Sequence, residues 1–357
     1  MAVITLDRNR LKHNFIYLNK HFEDKHIEWA VVSKLLCGNK MFLNELIDLG
    51  INQMCDSRIS NLKHIKELAP NTKTFYIKPP APDIIPDVVS FADCSLNTEE
   101  NTIRHLSEEA KKQNKTHQVL IAIELGELRE GVMGEDLIKF YRHIFEMENI
   151  EVIGLAANLS CLYGVLPTPD KLIQLTLYSK LIEATFEKKL KLISGGSSVT
   201  VPLLLNNTLP KGINHFRVGE TLFFGTDVYN GEYIEGMEQT VFQLYANFLE
   251  VSKKPMIPTG EFGTNLEGET YHVDQTLTGK ESIRGIIDIG LLDVDIQQIS
   301  FLDTNIKISG ATSDMIVLDL GDNRNGYKVG DRVAISLNYM STLKLLNSKY
   351  IDKMVVG

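Results

Sequence analysis

The sequence has no apolar run long enough to cross a membrane and no pair of cysteines in a metal-binding or disulfide-type motif. Its four cysteines, Cys37, Cys55, Cys94 and Cys161, are scattered through the first half without a CxxC spacing. This distribution excludes a structural zinc site and a disulfide framework, and it favours a reduced, cytoplasmic chain. We also expect no signal peptide, because residues 7–10 are too polar for its apolar region.

Basic residues are in the minority. The 37 lysines and arginines stand against 46 aspartates and glutamates, which gives a net charge of -9. This balance argues against a nucleic-acid surface. We therefore expect neither nucleic acid nor a membrane as a partner. A length of 357 residues, 43% of them hydrophobic, suggests two domains or a barrel with an appendage.

Short apolar runs alternate with helix-length segments through the first two thirds of the chain. The eight predicted strands are 29–34, 52–56, 74–77, 91–94, 118–124, 152–157, 191–194 and 214–218. Eight strands separated mostly by helices predict an α/β fold, a (β/α)8 TIM-type barrel. An open doubly wound sheet is the alternative, but no GxGxxG motif follows the first strand.

The pattern changes after Gly225. Strand-like runs at 240–251, 284–289, 305–308, 315–318 and 332–337 are separated by clusters of turn-forming residues. They predict a C-terminal, mostly antiparallel β domain. The predicted domains are therefore a barrel over 8–228 and a β domain over 229–357, the latter joined by an N-terminal strand at 1–7.

A lysine stands at the end of the first barrel strand, in Trp29-Ala-Val-Val-Ser-Lys34. A cationic side chain at the end of a buried strand is costly unless the fold uses it. The carboxyl ends of barrel strands are where barrel enzymes carry their catalytic residues. A partly desolvated lysine there would have a lowered pKa and act as a nucleophilic amine. The alternative is a lysine that starts a surface loop and extends into water.

The seventh predicted strand runs directly into Ser194-Gly-Gly-Ser-Ser198. Two adjacent glycines let backbone N–H groups approach an anion closely, and the serine hydroxyls add donors. In a barrel, the loops after strands seven and eight commonly bind phosphate. The alternative is a tight turn in which a serine caps the following helix.

The eighth predicted strand ends in Arg217-Val-Gly219-Glu220. A buried guanidinium requires an acceptor. That acceptor is either a carboxylate in the barrel wall or a ring nitrogen of a bound molecule, and the sequence leaves both open.

The lysine, the Gly/Ser loop and the Arg-x-Gly motif, in this order, resemble the alanine-racemase-type, fold-type III pyridoxal phosphate enzymes. The resemblance covers almost the whole chain, including the β domain. Within this group, segments 124–131, 158–161 and 194–196 are most similar to the ornithine racemase branch. The resemblance implies pyridoxal 5'-phosphate as the cofactor, an amino acid as the small-molecule substrate, no metal, and a homodimer with shared active sites.

The resemblance also implies a role for each matched residue. Lys34 forms the covalent link to the cofactor and serves as the base on one face. Arg217 faces the pyridine nitrogen, and Asn158 stands where alanine racemases usually carry histidine. Arg129 approaches the cofactor hydroxyl and the substrate carboxylate. The groups that hold the phosphate are Ser197, Ser198, the backbone N–H groups of Gly219 and Glu220, and Tyr339 of the β domain.

Arg217 also bears on the type of reaction. An arginine, with a pKa above about 12, does not give its proton to a pyridine nitrogen. The ring is then a weaker electron sink, which favours reprotonation at Cα over transamination.

One departure from the family bears directly on the chemistry. Alanine racemases supply the opposite-face base as a tyrosine of the partner subunit, directly after a glycine, whereas Leu291 follows Gly290 here. Leucine cannot transfer a proton. The candidates for the second base are Asp293, Asp295, Cys161 and Tyr163. The two aspartates have two further interpretations, a clamp for the distal ammonium of a diamino acid and a solvated loop.

We therefore predict a pyridoxal-phosphate-dependent amino-acid racemase that acts on ornithine or another basic amino acid. The alternatives are an alanine or broad-specificity racemase and a non-catalytic pyridoxal-phosphate-binding homeostasis protein, which would lack the β domain. A decarboxylase of this fold would need a cysteine in the β domain, and none follows Cys161. A metal-dependent aldolase or dehydratase would need a late histidine and cysteine pair, and only His272 is available.

Overall fold

The computed structural model describes residues 1–264, 268 and 270–357. It divides into two compact units, a barrel unit of residues 8–239 and a β unit of residues 1–7 and 240–357. Residues 229–239, which the sequence assigned to the β domain, belong to the barrel unit. The predicted boundaries of the two domains stay a prediction, because a compact unit is not by itself shown to be a domain that folds alone.

The barrel unit is organised around a parallel sheet. Strand β1 (Val3–Asp7) belongs to the β unit, and the strands of the barrel sheet follow it in the chain. They are β2 (Glu28–Val32), β3 (Gln53–Asp56), β4 (Lys73–Tyr76), β5 (Cys94–Asn97), β6 (His117–Ala122), β7 (Ile150–Ala156), β8 (Leu192–Ser194), β9 (Gly196–Ser197) and β10 (His215–Val218).

The sheet is nearly closed by a strand that is interrupted at Gly195. Strand β8 pairs with β7, whereas β9, which begins one residue after Gly195, pairs with β10. Strand β10 in turn pairs with β2. The interrupted seventh strand therefore links the two ends of the sheet, and the predicted barrel is confirmed over an open doubly wound sheet.

Helices connect the barrel strands. They are α1 (Arg8–Asp24), α2 (Lys40–Asp48), α3 (Ile59–Leu68), α4 (Ile85–Phe91), α5 (Glu100–Lys112), α6 (Leu137–Phe145), α7 (Pro169–Phe186), α8 (Val201–Leu205) and α9 (Glu220–Phe224). A short hairpin of β11 (Thr226–Asp227) and β12 (Glu232–Tyr233) follows. In α5, for example, the buried residues Ile103, Leu106 and Ala110 recur at helical spacing on one face.

The barrel interior is filled by side chains from successive strands. Its buried cluster comprises Ala30, Val32, Cys55, Phe75, Cys94, Leu96, Leu120, Ala122, Ile153, Ala156 and Leu192. Two of the cysteines are thus packing residues. Burial raises the pKa of the Cys55 thiol to about 12, so this group is inert as a nucleophile.

One predicted strand was wrong in position. The run 91–94 was predicted as the fourth barrel strand, but Phe91 ends α4 and the strand begins at Cys94. Between them, the carboxylate of Asp93 accepts hydrogen bonds from the backbone N–H (2.8 Å) and the hydroxyl (3.0 Å) of Thr74. These bonds fix a turn where the sequence pattern indicated an extended chain.

The β unit is mostly antiparallel, as predicted. Its later elements are β13 (Phe242–Pro255), β14 (Glu281–Ile287), β15 (Ile299–Phe301), β16 (Lys307–Ala311), β17 (Ile316–Asp319), β18 (Arg332–Leu337), α10 (Tyr339–Asn347) and β19 (Asp352–Val356). Strand β1 pairs with β13 antiparallel and with β19 parallel. The sequence pattern did not predict β15, β19 or α10.

Among the residues that the structure describes, no helix is both long enough and apolar enough to span a membrane.

Candidate active site

Lys34 lies just beyond the first barrel strand, not in it. Strand β2 ends at Val32, and Lys34 is the second residue of a 3-10 turn, Ser33–Leu36. Its side chain is exposed, so the predicted partial desolvation is wrong for this structure. Burial raises the pKa of the Glu220 carboxyl, while the positive charge of Lys34 acts in the opposite direction. The two groups are therefore close enough to interact.

A buried carboxylate anchors the turn that carries Lys34. Asp56, at the end of β3, accepts hydrogen bonds from the hydroxyl of Ser33 (2.9 Å), the side-chain amide of Asn61 (3.1 Å) and the N–H of Arg58 (2.9 Å). Burial raises the pKa of Asp56, and these donors oppose the shift. The residue before Lys34 is thus fixed from the neighbouring strand.

Arg217 lies in β10 and is 5% exposed. Its Nε donates to the hydroxyl of Ser194 (3.1 Å), and Nη1 donates to the side-chain oxygen of Asn158 (2.8 Å). Nη2 donates to the carbonyls of Ala157 (2.6 Å) and Ser194 (3.4 Å). No carboxylate within the described residues hydrogen-bonds to this guanidinium. The four hydrogen bonds use four of its five N–H groups, so one N–H, on Nη1, has no protein acceptor there.

A buried histidine, His215, contacts Arg217 indirectly, through the hydroxyl of Ser194. The hydroxyl of Ser194, which accepts from Arg217, lies 2.7 Å from Nδ1 of His215. Burial, together with the charge of Arg217, lowers the pKa of His215 to about 3, so the imidazole is neutral at pH 7. The serine hydroxyl can therefore donate its own proton to Nδ1 and hold the position of Arg217.

Asn158 connects Arg217 to a second arginine. Its side-chain nitrogen donates to the carboxylate of Glu130, and the same carboxylate accepts from Nε and Nη2 of Arg129. The hydrogen bonds and charge of Glu130 raise the pKa of Arg129, and burial opposes this shift. Arg129, Asn158 and Arg217, which the sequence assigned separately, thus belong to one hydrogen-bonded chain.

The segment 124–131 forms a loop that leaves β6 and returns to it. The N–H of Val132 donates to Ala122 (2.8 Å), and the N–H of Glu124 donates to Val132 (3.0 Å). At the return point, a Cβ on Gly131 would lie 2.3 Å from the backbone nitrogen of Glu124, so only glycine fits. The carboxylate of Glu124 caps the loop by accepting from the N–H of Leu128 (3.0 Å).

Glu127 fixes the next loop along the barrel rim. The residue is 1% exposed, and its carboxylate accepts five backbone N–H groups. The donors are Ser160 (3.1 Å), Cys161 (2.8 Å), Leu162, Tyr163 (2.9 Å) and Val165 (3.0 Å). Burial alone would raise the pKa of Glu127, but the N–H donors lower it to about 2. The loops that carry Arg129 and Asn158 are joined by this single carboxylate.

Backbone donors converge after strands β9 and β10. The N–H groups of Gly219 (3.2 Å) and Thr221 (3.3 Å) both point to the hydroxyl of Ser198. Ser197 instead begins a capping box with Thr200, which is the helix-capping alternative that the sequence left open for this loop. Ser198, Gly219 and Thr221 therefore form the part of the loop that can hold an anion.

Residues 6–227 match the family model described as "Alanine racemase, N-terminal domain". The chain belongs to the alanine racemase family. It is 36% identical over 352 residues to the ornithine racemase of Acetoanaerobium sticklandii, covering 98% of both chains. It is 28% identical to the lysine racemase of Thermotoga maritima over 329 residues, which is 92% of this chain and 91% of the relative.

The fold matches solved structures of the alanine racemase family. The alanine racemase of Bartonella henselae, solved with covalently bound pyridoxal phosphate, superimposes with a TM-score of 0.76 at 18% identity, and the match covers 99% of each chain. The predicted resemblance and the predicted enzyme class, an amino-acid racemase, are confirmed.

The barrel residues fit the pyridoxal phosphate of alanine racemases. Arg217 has an N–H available for a ring nitrogen, two backbone N–H groups meet at the hydroxyl of Ser198, and Lys34 is accessible. The chemistry of these donors matches the pyridine, the phosphate and the aldehyde of the cofactor. Within the described ranges, no three His, Cys, Asp or Glu side chains cluster closely enough to hold a metal ion.

The β-unit residues predicted for the alanine racemase site occupy defined places. Tyr339 is the first residue of α10, after the capping residue Asn338. Asp293 is buried and accepts from the N–H of Gly290 (3.3 Å) and the hydroxyl of Ser348 (3.4 Å). Asp295 is exposed and caps a 3-10 turn through the N–H of Gln297 (3.0 Å). Their functional roles stay predictions.

Sequence reasoning missed three residues of the candidate site, Glu130, Glu127 and Thr221. Glu130 directly follows Arg129, and neighbours in an extended segment point to opposite sides, so the pattern gave no reason to pair them. Leu128, just before them, has a φ of 51°, and this left-handed turn reorients the loop. The available signal was that Glu127 and Glu130 both lie in segment 124–131, which is similar to a motif of the family.

Proposed function

We propose that this protein racemises ornithine or another basic amino acid with pyridoxal phosphate as its cofactor. The observation that carries the proposal is the buried guanidinium of Arg217, held by four hydrogen bonds on the strand next to β2. It can donate to the ring nitrogen and keeps its own proton. A ring nitrogen that accepts from Arg217 would stay unprotonated, which would favour return of a proton to Cα over transamination.

Each of the other barrel residues has one task in this proposal. When bound, pyridoxal phosphate supplies the electron sink that makes the Cα hydrogen acidic. Lys34 would bind the cofactor aldehyde, and its Nζ would take or return the Cα proton on one face. Ser198 and the N–H groups of Gly219 and Thr221 hold the phosphate, and Arg129 orients the substrate carboxylate through charge-assisted hydrogen bonds.

The proton on the opposite face needs a second group. In the β unit, the N–H of Leu291 donates to the carbonyl of Thr312 (2.9 Å), and its side chain has no titratable atom. The four candidates named from the sequence stay predictions. Of these, Cys161 lies close enough to Arg129 to raise its pKa, and Tyr163 lies two residues further along the loop that Glu127 holds.

A basic substrate is supported by the two relatives, which are an ornithine racemase and a lysine racemase. The two aspartates proposed to clamp the distal ammonium differ in availability. Both carboxylate oxygens of Asp293 already accept a hydrogen bond within the β unit, whereas Asp295 is exposed and uses one oxygen as a cap. Asp295 is therefore the better candidate of the pair.

We also propose a homodimer in which the β unit of one chain completes the barrel site of the other. Two points support the proposal. The chain belongs to the alanine racemase family, and in the pattern of that family the opposite-face base comes from the partner subunit and not from the barrel strands. Light scattering together with activity at assay concentration tests it. A fully active monomer would contradict it.

The test of the activity is a racemisation screen by chiral chromatography. L-ornithine, L-lysine, L-arginine and L-alanine are incubated with the protein and added pyridoxal phosphate, with Lys34→Ala as the control variant. We expect the D-enantiomer of ornithine or lysine to form and the Lys34→Ala variant to be inactive. A faster reaction with alanine would favour the alanine or broad-specificity alternative. Cofactor binding without racemisation of any substrate would favour the non-catalytic cofactor-binding protein.

A further inference from the structure

We propose that Glu130 is a positioning residue, the shared counter-ion that holds Arg129 directly and Arg217 through Asn158. The inference rests on the proposed function in so far as both arginines serve the racemisation site. Glu130 itself is assigned to neither cofactor nor substrate.

The contact with Arg129 is a two-point ion pair. Nε and Nη2 of Arg129 donate to the two different carboxylate oxygens of Glu130, which is the geometry that a planar guanidinium favours. The side chain of Glu130 is 15% exposed, whereas that of Arg129 is 32% exposed. The pair is thus partly shielded from water, where screening is weaker than at the surface.

The link to Arg217 leaves only one orientation for Asn158. A guanidinium can only donate hydrogen bonds, and an ionised carboxylate can only accept them. The amide between them must therefore turn its oxygen to Arg217 and its nitrogen to Glu130, as the structure has it. The negative charge of Glu130 thereby fixes the acceptor that orients Arg217.

Glu130 also separates two like charges. Burial lowers the pKa of Arg217, the charge of Arg129 acts in the same direction, and the charge of Glu130 opposes both. Without Glu130, the two cations would repel each other at the barrel rim. Arg217 would lose the oriented acceptor on Asn158 but would keep its bonds to the carbonyl oxygens of Ala157 and Ser194. Arg129, which is nearer to solvent, would move.

The first experiment measures the position of Arg129 without relying on activity. Phenylglyoxal reacts with accessible arginine side chains, and peptide mass spectrometry gives the rate at Arg129. We expect Glu130→Gln to raise this rate roughly tenfold, because a charge-assisted pair is replaced by a neutral contact. Glu130→Asp should give an intermediate rate, and the exposed control Glu135→Gln should match the unmodified protein. An unchanged rate at Arg129 in Glu130→Gln would overturn the inference.

The second experiment tests the link through Asn158. A neutral imidazole can accept from Arg217 and donate to Glu130, whereas a carboxylate can only accept and would face another carboxylate. We expect kcat of Asn158→His to exceed kcat of Asn158→Asp by at least about tenfold. Equal kcat values for these two variants would overturn the relay.

Kinetics of Glu130→Gln complete the test. Because Arg129 is the residue that moves, we expect KM for the amino acid to rise about tenfold with a smaller effect on kcat. A fall in kcat alone, with KM unchanged, would contradict the assignment. If the protein racemises nothing, the proposed function fails, but the phenylglyoxal rates still decide the role of Glu130. Racemisation with unchanged rates at Arg129 would overturn this inference alone.

Discussion

Glu127 gives the sharpest prediction about the architecture of the site. Replacing it by glutamine keeps the size of the side chain but removes the charge that accepts five N–H groups of segment 160–165. The N–H donors lower the pKa of Glu127 to about 2, which shows that the folded loops stabilise its charged form. The neutral amide oxygen of the glutamine would still accept some of these hydrogen bonds and would keep part of this stabilisation. We therefore expect Glu127→Gln to cost about 2 kcal/mol.

Hydrogen exchange followed by mass spectrometry measures this cost locally. Exchange of the peptide that covers 160–165 should accelerate about 30-fold in Glu127→Gln, since each 1.4 kcal/mol corresponds to a factor of about ten. Peptides from β6 and β7 should exchange as before. The matched control is Glu135→Gln, an exposed glutamate in the same connection, which should leave the peptide unchanged. An unaltered exchange rate in Glu127→Gln would refute the reasoning.

The pH dependence supplies a second check. Because the folded-state pKa of Glu127 is lowered, its stabilisation is present above the unfolded pKa of about 4.3 and is lost as the pH falls toward 2. Protection of the same peptide, measured relative to intrinsic exchange at each pH, should therefore decline across this window. In Glu127→Gln the protection should not depend on pH there. A parallel decline in both proteins would point to a different titrating group.

Further predictions concern the reaction itself. Borohydride reduction of the cofactor-loaded protein should leave the pyridoxyl group on Lys34, and recovery on any other lysine by peptide mapping would contradict the assignment. Arg217→Glu should lower racemisation and raise transamination, because a carboxylate favours a protonated ring nitrogen; an unchanged ratio of the two products would make Arg217 structural. Replacing Asp293 and Asp295 together by asparagine should remove a preference for ornithine over alanine, which is worth a factor of ten in kcat/KM per about 1.4 kcal/mol. Loss of all turnover would instead identify one of them as the second base.

Much of the fold could be predicted because its signals are periodic. Buried parallel strands have apolar runs, and the eight runs before Gly225 appear as barrel strands with one shifted in position. The shift at 91–94 arose where hydrogen bonds from Thr74 to Asp93, remote in sequence, decide the backbone. Elements such as β15 and β19 are short and contain no buried residue, so the apolar runs that mark the barrel strands have no counterpart there.

Site residues could be predicted from the sequence only where the residue type is unusual for its position in the predicted fold. A lysine or an arginine at a strand end is unexpected, so Lys34 and Arg217 stood out from the sequence. Glu130 and Glu127 lie in a polar loop, where acids are ordinary. Their importance depends on which donors the folded loops bring to them, and this information lies in the spatial arrangement of two loops.

The pairing of β1 with β19 has a consequence for how the chain reaches its final form. Residues 3–7 lie beside residues 352–356, although almost the whole chain separates them. During synthesis, the barrel unit is complete in the emerging chain long before β19 exists. The edge of β1 that pairs with β19 therefore stays unpaired until β19 has been synthesised. Contacts of such long range form slowly, so a chaperone or an early partner strand can engage this edge of β1 before β19 covers it.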